Sequence, residues 1–400
     1  MRILFLTPYV PYPPKFGAAV RIFYLARELS KEHRLVFLTY VEENSQGSLD
    51  GLREISENIV TVPRRTGSKR WRQLFSLATN RSFQMQDHYS DAMQQALDRI
   101  VQQQRVDAIV VEFAQMAGFR FPQSIPLVID EHNVEYDLVR RMAEEARPLS
   151  FRKLFNSLES RKLKAAELKA VRNADMTLAT SRRDEELLTD AAPGINTAVI
   201  SNGVDVDYFQ PPKAQKRCPD TAVFVGATHY FPNADGIHFF MNEIFHRILA
   251  RHPQFRLMIV GGNPSPSIRS YASDNVTITG FVDDVRPYMH EASVFIVPLR
   301  MGGGTRFKVV EAMAAGIPVV STRLGAEGIP AEHSRELMLA DKPAEFAESV
   351  CTLFEQEELA SQLCHAGLAF VRRHFDWPII GAKLNSALQQ VVGSDDVRQE

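Results

Sequence analysis

The chain has 400 residues, a formal net charge of −2, 45% hydrophobic residues and 24% charged residues. That length is too great for one ordinary core and fits two domains of about 200 residues. The near-neutral balance gives no global reason to expect nucleic-acid binding. Three cysteines, Cys218, Cys351 and Cys364, include no CxxC pair, which argues against a disulfide framework or a zinc site and for a reducing compartment. No run of about 18 apolar residues marks a transmembrane helix. Met1 to Thr7 reads as a first strand and not as a signal peptide, so the expectation is a cytoplasmic protein.

In chain order, apolar runs of strand length fall at Ile3–Thr7, Leu35–Tyr40, Ile59–Val62, Ala108–Val111, Leu127–Asp130, Met176–Ala179 and Ala198–Ile200. Helix-like segments lie between them at Ala18–Ser30, Asp87–Gln104 and Phe151–Arg172. The scheme repeats at Ala222–Val225, Arg256–Val260, Val276–Thr279, Val294–Val297, Pro318–Ser321 and Leu337–Leu339. Strand–helix alternation predicts parallel, doubly wound sheets. Two such sets predict two Rossmann-like domains, residues 1–205 and 206–375, with ligand at the carboxyl ends of strands in the cleft between them. The proline-rich segment from Gln210 to Pro219 is the best linker. A last helix is expected over 376–392, and the final residues look frayed.

The most informative stretch is Pro298-Leu299-Arg300-Met301-Gly302-Gly303-Gly304-Thr305-Arg306-Phe307-Lys308-Val309-Val310-Glu311. Gly302, Gly303 and Gly304 follow a strand and let backbone N–H groups face a ligand without Cβ interference. A helix starting near Thr305 adds unpaired N–H groups and a positive dipole end, which suits phosphate. Arg306 and Lys308 add cations on the same turn. Glu311 would repel phosphate, so its fitting task is to accept hydrogen bonds from sugar or ribose hydroxyls. The alternative is a solvated helical glutamate. Together these residues point to a nucleotide-sugar site.

The stretch from Gly303 through seven residues to Glu311, with Ala312-Met313-Ala314-Ala315-Gly316-Ile317-Pro318-Val319-Val320 after it, resembles the donor-binding helix of the family 4 retaining glycosyltransferases. Closest is a branch with a Gly-Gly-Gly-Thr-Arg-x-Lys donor loop. Ser201-Asn202-Gly203-Val204-Asp205 resembles that family's interdomain element, and Val260-Gly261-Gly262 and Gly280-Phe281-Val282 fall where similar proteins carry Val-Gly-x-Gly and Gly-x-Val. The resemblance implies the GT-B fold, with two Rossmann-like domains facing a central cleft and the last helix returning to the first domain. It implies retaining transfer of a sugar from a nucleoside diphosphate donor to a hydroxyl acceptor, a glycan or lipid-linked glycan, in cell-surface polysaccharide or glycolipid assembly. No cofactor and no metal are expected, because helix dipole and cations carry the diphosphate charge.

Two family positions are changed. The first glutamate of the family's paired motif is Gly303 here, and the arginine of its Gly-Arg pair, which holds the diphosphate with a following lysine, is Ala227 after Gly226. Arg306 and Lys308 are the natural substitutes. The resemblance also implies that His132, in Asp130-Glu131-His132-Asn133-Val134-Glu135, faces the donor sugar, with Glu131 and Glu135 as weaker candidates. Gly17 matches the second glycine of a loop that approaches donor or acceptor. Gly280, Phe281 and Val282 form the expected base-binding element. Asp283-Asp284 reads as a helix N-cap before it reads as a metal site. Basic stretches at Arg64–Arg72 and Arg147–Arg172 fit either a solvated face or peripheral contact with an anionic membrane. Two other readings stay open: a GT-B sugar-nucleotide epimerase, and a scaffold that has lost catalysis.

Overall fold

A computed structural model of the protein describes residues 1–42, 49–64, 73, 76, 79–144, 150–210, 217–302 and 306–396. The chain divides into two compact units: Met1–Ser201 together with the chain from Ile380 on, and Asn202–Ile379.

In the first unit the strands are β1 (Arg2–Thr7), β2 (Arg34–Val41), β3 (Asn58–Pro63), β4 (Ala108–Glu112), β5 (Leu127–Glu131), β6 (Met176–Ala179) and β7 (Thr197–Val199). They form one parallel sheet in the order β3-β2-β1-β4-β5-β6-β7. The second unit holds β8 (Thr221–Val225), β9 (Arg256–Val260), β10 (Val276–Gly280), β11 (Val294–Val297), β12 (Val319–Ser321) and β13 (Met338–Leu339). Its parallel sheet runs β10-β9-β8-β11-β12-β13. Both are doubly wound sheets. Runs such as Ala-Ile-Val-Val and Val-Phe-Ile-Val are apolar throughout because helices cover both faces, and the central strands are fully buried. Strand order reverses between β1 and β4 in one unit and between β8 and β11 in the other. In such sheets the carboxyl edge at that reversal is where ligands bind.

Helices differ from expectation in two places. The segment 87–104 is two helices, Phe83–His88 and Asp91–Gln103. Ser90 separates them: its backbone is extended and its Oγ accepts from Met93 N at 3.2 Å, an N-cap that restarts the helix. The helix expected near Thr305 is Phe307–Ala314. The basic helix spans Phe151–Asn173, and it also supplies two buried caps. Glu159 accepts from Phe83 N and Gln84 N at 3.1 Å each, while Glu167 accepts from Glu135 N and Tyr136 N at 2.9 Å each. Eight residues apart on one helix face, they seat the N-termini of helices 83–88 and 135–144. Residues 65–72, 145–149 and 211–216, which include most of the first basic stretch and of the expected linker, lie outside the described residues.

The last helix, Trp377–Asp396, buries Ile380, Leu384, Leu388 and Val391 at helical spacing. From Ile380 on it packs with the first unit, where Asn385 bonds the His33 ring at 2.6 Å and donates to Glu32 at 2.9 Å. Truncating Leu388, which is fully buried, should cost about 2–4 kcal/mol as Leu388→Ala. Urea unfolding would read this; a loss under about 1 kcal/mol would show that the helix end is not docked.

Candidate functional site

The second unit gathers glycines at the carboxyl edge of its sheet. Gly226 follows β8 and donates to Val260 O at 2.9 Å; Gly261 follows β9 and donates to Gly280 O at 3.2 Å. Thr228 Oγ1 donates to Gly262 O at 2.7 Å. Three strand ends are thus tied side by side through residues without side chains. At Gly226 the absence of a Cβ is required: one placed there would lie 2.7 Å from Lys308 Nζ and 2.8 Å from Asn233 Nδ2.

Lys308, from the helix after β11, therefore reaches the turn after β8. Its Nζ donates to Asn233 Oδ1 at 2.7 Å, and Asn233 Nδ2 donates to Ala227 O at 2.9 Å. The same ammonium lies 4.3 Å from the Phe224 ring centroid. Burial, then the charge of Arg306, lower Lys308 to about 7, with Glu311 acting the other way. Glu311, one turn along and half-buried, is raised to about 7 by burial against the pull of Lys308. A cation and a carboxyl that both change charge near neutral pH stand on one helix face. Gly302, at φ 134°, lies against the Arg306 guanidinium, where a Cβ would come within 2.8 Å of Cζ. Gly303, Gly304 and Thr305 lie outside the described residues.

Gly280 ends β10 at φ 73°, and Phe281 is 71% exposed beside it. Val282 packs partly on the core. Phe281, Gly280, Asn263 and Arg269 help line a cleft of about 460 Å³. Asp284 accepts from Arg286 N at 2.9 Å and holds its guanidinium with both oxygens, the work of a helix-start carboxylate.

The first unit builds a buried polar cluster at its own carboxyl edge. Asp130 and Glu131, expected at an edge, are 1% and 0% exposed, because β5 runs on to Glu131. Arg21, on the helix that begins at Gly17, grips Asp130 with two bonds of 2.8 and 2.7 Å. His132 is 6% exposed, and its Nε2 lies 2.7 Å from Glu112 Oε2 at the end of β4. The Phe113 ring stacks on the imidazole at 3.9 Å. Burial lowers His132 to about 4 and holds Glu112, Glu131 and Glu135 above the usual carboxylate range. Glu112, Asp130 and His132 bring ligand atoms within 4.8 Å of one another, and the cation that serves them is the Arg21 guanidinium. Gly17 itself is exposed.

Sequence reading missed Glu112, Arg21 and Asn233. Glu112 left a faint signal, as a carboxylate closing a wholly apolar strand. Arg21 lies on the apolar stripe with Ile22 and Leu25, where a cation needs a buried partner. Asn233 left none.

The family model for Glycosyltransferase Family 4 matches residues 17–208, and that for Glycosyl transferases group 1 matches residues 219–356. Glycosyltransferase family models thus match both units of the chain. A phosphatidyl-myo-inositol mannosyltransferase of Mycobacterium tuberculosis strain H37Rv is 29% identical over 51% of this chain and 56% of its own length. The putative glycosyltransferase YtcC of Bacillus subtilis is 25% identical over 49% and 55% respectively. The chain thus spans a little over half the length of the curated relatives it matches. In fold, the chain matches the sucrose-phosphate synthase of Thermosynechococcus elongatus, with a TM-score of 0.70 at 16% identity, over 98% of this chain and all of that one. It matches Anabaena HepE, solved in complex with UDP, with a TM-score of 0.69 at 16% identity, again over 98% and all of that chain. Both likenesses concern the two parallel-sheet units of the GT-B fold.

The Gly226–Lys308 fit gives a direct test. In wild-type protein reductively methylated with ¹³C, Lys308 should titrate near 7. A Cβ in Gly226→Ala would meet the ends of Lys308 and Asn233, so Nζ should shift from the turn and the midpoint should rise by roughly a unit or more as burial is relieved. An unmoved midpoint would show that the ammonium does not occupy that space.

Proposed function

We propose that this protein is a retaining glycosyltransferase that moves a sugar from a nucleoside diphosphate donor to a hydroxyl acceptor. The observation that carries the reading is Lys308, seated against Gly226 and Ala227. The cation absent at position 227 of the sequence is supplied at that turn by another element. The diphosphate would lie between the Gly226 turn and the start of the 307–314 helix, where Lys308, Arg306 and free helix N–H groups face it. Charge developing on the departing diphosphate is then stabilised by groups already in place. Glu311 would accept from ribose hydroxyls, and Phe281 with Gly280 and Val282 would hold the base. His132 would orient the sugar, and Gly17 would approach the acceptor or the phosphates. Gly302, Gly303, Gly304 and Thr305 would complete the phosphate loop. The work is electrostatic and positional, with no metal and no cofactor among the proposed parts.

Sign matters for Lys308. Lowered to about 7, it is partly neutral at neutral pH and binds diphosphate best when protonated. Donor binding should therefore take up a proton and strengthen as pH falls from 8 to 6. An Arg306→Ala, Lys308→Ala double variant should lose about 3 kcal/mol, roughly 100-fold, in diphosphate affinity. Calorimetry at three pH values checks both; unchanged affinity in the double variant would remove the reading. The anomeric configuration of the product, read by NMR, tests retention itself.

The acceptor proposed is a glycan or a lipid-linked glycan, and the mannosyltransferase relatives named for phosphatidyl-myo-inositol support the lipid-linked kind. No helix among the described residues is long and apolar enough to cross a membrane. Phe151 and Leu154 are 57% and 59% exposed on the basic helix, with Arg152, Arg161, Lys164 and Lys169 exposed along it. This combination fits peripheral contact with anionic lipid at the cytoplasmic face. A Phe151→Ser, Leu154→Ser variant should lose most co-sedimentation with phosphatidylglycerol vesicles. Equal pelleting with neutral vesicles would contradict the membrane contact.

A further inference from the structure

Glu112 and His132 raise a question that the donor reading leaves open: which atom of the imidazole a ligand meets, and whether that atom donates or accepts. Two sides of the ring are accounted for. Phe113 covers one face at 3.9 Å, held there by a backbone at φ 70°, an unusual conformation for a bulky residue. The Phe113 N–H donates to Asp130 O at 2.9 Å, which fixes that turn to the end of β5. Nε2 is taken by Glu112 Oε2 at 2.7 Å. The remaining polar atom, Nδ1, is buried and has no hydrogen-bond partner among the described residues. Nearby, the buried Tyr9 hydroxyl is likewise without a partner, and its ring lies 6.4 Å from that of Phe113.

The proton between Glu112 and His132 follows from charge. The cluster holds one guanidinium, Arg21, and its fork is closed on Asp130. A second ionised carboxylate in the same buried space would repel Asp130, and the Arg21 charge it would lean on is already engaged by Asp130. Glu112 therefore keeps its proton, in line with burial pushing its pKa well above the usual carboxylate range. Its geometry leaves Nε2 as the acceptor of that proton. We infer that Glu112 is a positioning residue that donates to His132 Nε2, fixing the imidazole as the Nδ1–H tautomer, so that His132 meets its ligand as a hydrogen-bond donor. Such a donor suits an acceptor oxygen on a sugar ring or a phosphate. It does not suit removal of a proton from a hydroxyl, for which the lone pair would have to point outward.

This rests on the donor reading for its ligand but not for its test. In ¹⁵N-labelled, ligand-free protein at neutral pH, the two ring nitrogens of His132 are resolved by NMR and assigned with His132→Asn. Wild type should show a protonated Nδ1. Glu112→Gln should keep it, since the amide can still donate to Nε2. Glu112→Ala should release Nε2 and shift the ring toward the Nε2–H form. A wild-type His132 protonated at Nε2, with Glu112 ionised, would overturn the inference, and so would a Glu112→Gln protein that changes tautomer. If Glu112→Ala does not fold, the wild-type and Glu112→Gln spectra still decide it. UDP-glucose and GDP-mannose are then added to the wild type as probes. A shift of the Nδ1–H signal with either supports ligand contact; no shift with both overturns the donor-sugar role of His132 alone, leaving the tautomer as measured.

Discussion

Lys308 and a side chain at position 226 cannot share the same space, and much of the second unit follows from that exclusion. With glycine at the turn, an ammonium from the helix after β11 passes over the Phe224 ring and reaches the end of β8. Asn233 holds it there by accepting from Nζ and donating back to Ala227 O. A flexible lysine ordered at both ends is a preorganised charge. Burial weakens its protonated form, and on the proposed reading an arriving phosphate would restore it. The half-buried Glu311 on the same helix moves the opposite way. Such a site would be short of positive charge when empty and would gain it when an anion bound.

The first unit solves the reverse problem. Its carboxyl edge carries Glu112, Asp130, Glu131 and Glu135, all buried, against a single buried guanidinium. Ionising all four would be prohibitive. Arg21 pairs with Asp130, and burial raises the other three toward their protonated forms. Glu167 adds a fourth raised carboxyl, at about 8, while its oxygens cap the helix that follows His132. A cluster of neutral acids around a neutral imidazole is rich in hydrogen bonds and poor in net charge. That suits recognition of hydroxyl groups more than of an anion.

What the sequence revealed and what it concealed divide along a physical line. The central strands were legible because a parallel strand covered on both faces must be apolar from end to end, and Ala108–Val111 or Val294–Val297 allow little else. A helix after Gly302–Gly304 was legible because the chain turns from glycines to helix-forming residues there, and it spans Phe307–Ala314. The restart at Ser90 was hidden, since the apolar periodicity continues through it. The Lys308–Asn233 bond joins residues 75 positions apart, a distance that no local pattern around Ala227 can bridge. Glu112 was missed for the same reason: its partner lies on the next strand of the sheet, a register that pairs Glu112 with Asp130 and that no local pattern reveals. The basic character of helix 151–173 was plain, but its two buried glutamates, which seat neighbouring helices, were not.

The central claim is that the Gly226 turn and Lys308 together hold a nucleoside diphosphate. The most direct measurement is calorimetric binding of UDP, GDP, TDP and ADP to the wild type, to Lys308→Met and to Glu311→Ala. The account predicts one tight nucleotide, weakened by both substitutions, with proton uptake on binding in the wild type that disappears in Lys308→Met. Binding of none of the four, or tight binding indifferent to Lys308, would contradict it.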